Sequence, residues 1–149
     1  RKMSNKHALE VFKEYIGTRV AEKSISPVAK LLDGVLVGVH DHGIEIEYQV
    51  KEEMVNPARI LHGGIAATML DDIIGMTVFM MGNGVFYSTV NLSVDYLFSA
   101  RLGETVRVKS KIVRMGKKIA HAEGEIRNQD DILIAKCTTN LVATSNTIK

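Results

Sequence analysis

From Gly63 to Met81 the chain is apolar at almost every position (Ile65, Ala66, Ala67, Met69, Leu70, Ile73, Ile74, Met76, Val78, Phe79), and its only charges there are Asp71 and Asp72, side by side. A helix this apolar must be buried on most of its sides. The stretch is about as long as a short transmembrane span, but two acids at its middle and the lack of basic flanks point to the core helix of a soluble domain. The rest of the chain must therefore wrap around one long helix. Its 149 residues are material for one ordinary domain.

The flanking segments supply the wrapping. Val35, Val37 and Val39 alternate, Asp41-His42-Gly43 interrupts, and Ile44, Ile46 and Tyr48 alternate again, which predicts a hairpin. Over residues 51–62 the pattern breaks, and Pro57 excludes a regular strand or helix interior, leaving a loop that leads into the helix. Gly82-Asn83-Gly84 ends the helix. Residues 85–97 alternate as a long strand, with Val90, Leu92, Val94 and Tyr96 on one face and Thr89, Asn91, Ser93 and Asp95 on the other. Strands are predicted at 105–115 and 119–128, joined by a turn at Gly116-Lys117-Lys118, and at 132–144. A hairpin, one buried helix and a meander of long strands make an α+β domain over residues 34–149, its antiparallel sheet wrapped around the helix. Residues 1–33 precede it as an N-terminal helix and connecting segment: Ser4 or Asn5 caps Leu9, Phe12 and Ile16 at helical spacing to near Gly17, and Ser26-Pro27 forms a turn.

Composition narrows the function classes. Hydrophobic residues at 46% and charged residues at 24% sit near the globular average, which excludes a disordered or fibrous chain. A net charge of +2, with Lys and Arg scattered among carboxylates, argues against nucleic acid as a partner. The one cysteine, Cys137, falls in an apolar stretch as a small buried thiol and rules out an intrachain disulfide. The first residues lack the apolar core of a signal peptide, so the expected location is cytoplasmic.

Residues 56–72 read N-P-A-R-I-L-H-G-G-I-A-A-T-M-L-D-D. Paired glycines at a helix start leave backbone N–H groups unobstructed, and the positive end of the helix dipole adds to their pull on a developing oxyanion. Gly63 and Gly64 are thus candidate oxyanion donors, though paired glycines also simply permit a tight entry into a crowded helix. An acid in the middle of a buried helix must be neutralised, paired or facing a cavity. Successive helix residues point about 100° apart, so Asp71 and Asp72 do not share one small site.

In combination, these residues resemble the PaaI/YdiI-like branch of the hotdog-fold acyl-CoA thioesterase superfamily, with a loop Asn, an HGG at the helix start and an acid nine residues after the His, here Asn56, His62-Gly63-Gly64 and Asp71. The resemblance continues through T-V-N-L-S-V-D-Y-L, where Thr89 stands at a position often Ser or Thr in that group, and through Ser99 to Glu104, and covers residues 34–142. It implies a thioester hydrolase acting on acyl-CoA, with Asp71 as nucleophile or general base and Gly63 or Gly64 as the N–H that polarises the carbonyl. It further implies that His62 and Asn56 orient thioester or water and that Thr89 holds the water or Asp71. No cofactor or metal is implied, because CoA is part of the substrate. Arg101, Lys117 and Lys118 are candidate partners for the CoA phosphates. Pro57 directly after Asn56 and the doubled acid depart from the pattern.

Helix geometry adds a constraint that owes nothing to the resemblance. The eight steps from Gly63 to Asp71 span about 12 Å, whereas a nucleophile must come within about 3.5 Å of the carbonyl carbon. If both act on one thioester, the acid comes from a second chain, and a two-fold axis makes two equivalent sites in a homodimer or homotetramer. Two other functions use similar residues: a hotdog hydratase or dehydratase, with His62 as base, and a non-catalytic acyl-CoA-binding module. The acyl pocket is expected to depend on Ile73, Met76, Met80 and Phe86.

Overall fold

The structure is a computed structural model that describes residues 8–82 and 84–146. Six antiparallel strands, β1 (Val35–His40), β2 (Gly43–Gln49), β3 (Tyr87–Tyr96), β4 (Thr105–Met115), β5 (Ile119–Asn128) and β6 (Leu133–Ala143), form one sheet in the order β1-β2-β4-β5-β6-β3. The meander is thus shorter than expected. Only β4, β5 and β6 run consecutively, and β3 crosses to the far edge to pair with β6.

The sheet curls around helix α3 (Gly63–Met81); the shorter α1 (Val20–Lys23) and α2 (Pro27–Leu32) precede it in the chain. Ala66, Met69, Leu70, Ile73, Ile74, Thr77, Val78 and Met81 form its fully buried stripe, spaced at three and four residues as one helix face requires. Burial on most sides is not reached within one chain: Asp71, Asp72, Gly75, Met76 and Phe79 stay half-buried on the opposite face. Close contact with the sheet needs Gly124 on β5, where an added Cβ would lie 2.9 Å from Leu70 Cδ2 and 3.0 Å from Cys137 Sγ.

The N-terminal segment departs from the expected helix. Leu9–Tyr15 is a 3₁₀ helix that buries Leu9, while Ile16 is exposed; Ser4 and Asn5 lie outside the described residues, as does Asn83. Ser26-Pro27 starts α2 rather than forming an isolated turn: Ser26 Oγ accepts the Ala29 N–H at 3.3 Å, and Pro27 takes the first helical position, where no N–H is needed.

β3 does not keep strict alternation. Thr89 pairs with Leu141 and Asn91 with Asn140, so Val90 is an extra residue, a β-bulge. Asn91 Oδ1 accepts from both the backbone N–H (3.1 Å) and the side-chain amide (2.9 Å) of Asn140, which fastens the bulge to β6. Side-chain parity reverses across it. Tyr87 and Thr89 face the helix before the bulge, and Leu92, Val94 and Tyr96 face it after, leaving Val90 67% exposed. The expectation that Thr89 and Leu92 lie on opposite faces is corrected by this one inserted residue.

Candidate active site

The helix start and its middle carry two separate polar clusters. At the start, His62 is the N-cap of α3, and its Nδ1 accepts the Gly64 N–H at 2.9 Å. The Gly63 N–H donates to no acceptor among the described residues. Of the two glycine N–H groups, Gly63's is therefore the one free for a ligand at the positive end of the helix. The Gly63 carbonyl accepts from the Tyr96 hydroxyl at 2.7 Å, a contact between positions 33 residues apart that no local sequence pattern signals.

Asn56 folds the loop that leads into this cluster. Its Oδ1 accepts from the N–H groups of Ala58 (3.0 Å) and Ile60 (3.4 Å), and its own carbonyl accepts from Arg59 at 2.8 Å. Pro57 fits that turn because no bond of the turn uses an N–H at its position. A bridge between Val55 and Leu61, together with the His62 N–H given to the Met54 carbonyl at 2.9 Å, tethers the loop to the helix start. The Asn56 side-chain NH₂ donates to nothing among the described residues.

At mid-helix the Thr89 hydroxyl donates to Asp71 Oδ1 at 2.8 Å, so the bulge delivers Thr89 to the acid. Asp72 turns the other way, accepting a long bond from Ser26 (3.4 Å), and its Oδ2 is buried without a partner. Burial pushes the Asp72 carboxyl above the usual carboxylate range, with Ser26 opposing and Asp71 reinforcing the shift. Both acids nevertheless border one cavity of about 440 Å³, together with Gly75, Met76, Phe79 and Phe86. Of the four expected pocket residues, Met76 and Phe86 line it; Ile73 is fully buried in the core, and Met80 lines a neighbouring groove.

The state of Asp72 has a measurable consequence. In an acid whose folded-state pKa is raised, the charged form is disfavoured by folding, so stability falls as pH rises from the ordinary carboxylate range through the folded-state value. Asp72→Asn removes that ionisation. Thermal melts should show the variant more stable than wild type at neutral pH, by about 2–4 °C for each kcal/mol recovered, with the gap closing on acidification. A variant less stable than wild type at pH 7 would mean that the ionised carboxylate is held by something favourable.

The three cations expected at CoA phosphates are not brought together within one chain. Arg101 is exposed beyond the end of β3 and bridges to Ile60, next to the Asn56 loop. The Lys118 carbonyl accepts from Ala143, which pairs with Tyr87 at the start of β3, so the Lys117-Lys118 turn stands a strand length away, roughly 30 Å. The two polar clusters are likewise apart, by about 12 Å along the unbroken helix.

Comparison with known proteins agrees with this architecture. Residues 58–135, just over half of the chain, match the family model described as "Thioesterase superfamily". Human acyl-coenzyme A thioesterase 13 is 30% identical over 83 residues, 56% of this chain; the match spans 59% of the human protein's length. Among solved structures, a putative thioesterase from Ralstonia eutropha, described as phenylacetic acid degradation-related, superimposes with a TM-score of 0.74 at 26% identity, covering 95% of this chain and all of that one (100%). The PaaI protein of Escherichia coli, from the phenylacetic acid degradation operon, reaches a TM-score of 0.80 at 18% identity over 98% of this chain and 100% of its own. A sheet curled around one long helix, the match across residues 58–135 and the PaaI-like neighbours place this chain in the thioesterase superfamily, with a hotdog fold of the PaaI-like kind.

Proposed function

We propose that the chain hydrolyses acyl-CoA thioesters to free acid and CoA at sites shared between two copies of itself. The observation that carries this reading is the Thr89–Asp71 hydrogen bond beside the 440 Å³ cavity. Thr89 occupies Oδ1 and orients the carboxylate, leaving Oδ2 to attack the thioester carbonyl or to take a proton from water. As the carbonyl becomes tetrahedral, its oxygen gains charge and is met by the Gly63 N–H and the helix dipole. The Asn56 amide and the His62 ring lie around the same carbonyl. The CoA thiolate leaves, and water completes the acid.

The gap between Gly63 and Asp71 is why two copies are needed. β3 supports the pairing: it is an edge strand of 10 residues with one side unpaired among the described residues, and Tyr96 (55%), Leu97 (53%) and Phe98 (56%) are exposed around its end. An open edge this long invites pairing with its own copy across a two-fold axis. Arg101, flanking the Asn56 loop, is the better-placed cation for a CoA phosphate, and the Lys117-Lys118 turn serves only if another chain brings it near.

His62 bears on the hydratase alternative. A neutral imidazole whose Nδ1 accepts a hydrogen bond carries its proton on Nε2 and offers a donor there, not a base. Hydrolysis is thereby favoured over proton abstraction by His62. The test is the purified protein with an acyl-CoA and a thiol-trapping dye, expected to give free thiol and acid in equal amounts. Hydration or dehydration of the acyl chain without thiol, or binding with neither, would overturn the proposal.

Gly75 supplies a further test, on the acyl chain. It sits one turn beyond Asp71 in the helix interior, where glycine costs about 0.5–1 kcal/mol relative to alanine, yet a Cβ there would meet nothing within 4 Å. The chain's own packing does not require this glycine, so the space is assigned to the acyl group. Gly75→Leu should lower kcat/KM for bulky acyl-CoAs by about tenfold or more, the scale of a misfit in an apolar pocket, while sparing acetyl-CoA. Equal losses for both substrates would show that the space serves something else.

A further inference from the structure

Tyr96 closes β3 against the helix start. Its ring packs on Gly63, where an added Cβ would lie 3.2 Å from Tyr96 Cζ, and its hydroxyl donates to the Gly63 carbonyl at 2.7 Å. That carbonyl and the Gly64 N–H belong to one peptide unit. The Gly64 N–H in turn donates to His62 Nδ1 at 2.9 Å. A donor on an amide oxygen polarises the amide, so its N–H becomes the stronger donor, by about 10–30% per bond in a chain of this kind.

We propose that Tyr96 is a positioning residue acting on His62 through the Gly63–Gly64 peptide. Tyr96 strengthens the N–H that engages Nδ1, which keeps the ring proton on Nε2 and holds the imidazole in one orientation with that Nε2–H directed outward as a donor. The relay also explains the division of labour between the two glycines. Gly64's N–H is consumed in orienting His62, and Gly63's remains for the ligand. Its consequence for turnover rests on the thioester reading above; its effect on His62 does not.

Tyr96→Phe separates the hydroxyl from the ring, since phenylalanine keeps the packing on Gly63. Full-length protein labelled with ¹⁵N-histidine reports the tautomer directly, with His62 assigned by the signals lost in His62→Ala. In wild type, His62 should be the neutral Nε2–H form. In Tyr96→Phe it should become a mixture of tautomers, and the Gly64 amide proton should move upfield. With an acyl-CoA substrate, kcat should fall about two- to twelvefold, the range of one neutral hydrogen bond, with KM little changed. A merely structural tyrosine would leave the tautomer and the Gly64 amide as they are in wild type, and that result overturns the proposal. So does a wild-type His62 protonated on Nδ1, which needs no variant to observe. If the spectra change as expected but wild type releases no thiol, the relay stands and the thioester reading fails.

Discussion

Asp71→Asn is expected to lower kcat by at least about a hundredfold, the loss that follows removal of a nucleophile or general base, while the melting temperature stays near that of wild type. The amide keeps the carboxylate's shape, and its oxygen can still accept from Thr89 at the position where Asp71 Oδ1 lies 2.8 Å away. What it loses is the negative charge and the free lone pairs of Oδ2. Asp71 is half-buried at the cavity wall, so its replacement removes no core contact. Asp72→Asn is the internal control: it changes the neighbouring residue, engaged with Ser26, and should leave turnover within a few-fold. Steady-state kinetics of the two variants on one acyl-CoA decides between them. A crippled Asp72→Asn beside an active Asp71→Asn would assign the chemistry to Asp72 and contradict the role given to Asp71.

Much of the fold could be read from local pattern. The long helix announced itself by its apolar run and glycine-rich end, and alternation placed β4 and β5 at Thr105–Met115 and Ile119–Asn128, where they are found. Strand order was out of reach, because nothing in residues 85–97 says that β3 pairs with β6 rather than with β4. The N-terminal segment failed for a different reason: helical spacing of Leu9, Phe12 and Ile16 does not distinguish an α-helix from the 3₁₀ turns observed.

Within the candidate site, the pairing of Thr89 with Asp71 came from family resemblance, and alternation alone contradicted it. The bulge that reconciles them depends on Asn91 meeting Asn140, a partner 49 residues away, which no local pattern reveals. His62 capping the helix through Gly64 was more accessible, since an acceptor two residues before an N–H is ordinary N-cap geometry. Tyr96 looked like one more apolar residue of an alternating strand, and only the folded chain brings its hydroxyl to the Gly63 carbonyl.

A mixed dimer gives the second large effect, because it follows from the length of α3. Gly63 and Asp71 of one chain lie about 12 Å apart along an unbroken helix, too far to act on one carbonyl. In the shared site proposed above, Asp71 of one protomer works with Asn56, His62 and Gly63 of its partner, in two equivalent sites. Combining an Asp71→Asn chain with a His62→Ala chain sends both lesions to one site and none to the other. Each homodimer, by contrast, has one lesion in every site and should be nearly inactive. The deciding measurement is thiol release by the heterodimer, isolated by two different tags after co-expression. A site built across the two-fold axis should restore activity to about half that of wild type, since one of two sites is whole. A heterodimer no more active than either mutant homodimer would contradict the shared site and place all the catalytic groups within a single chain.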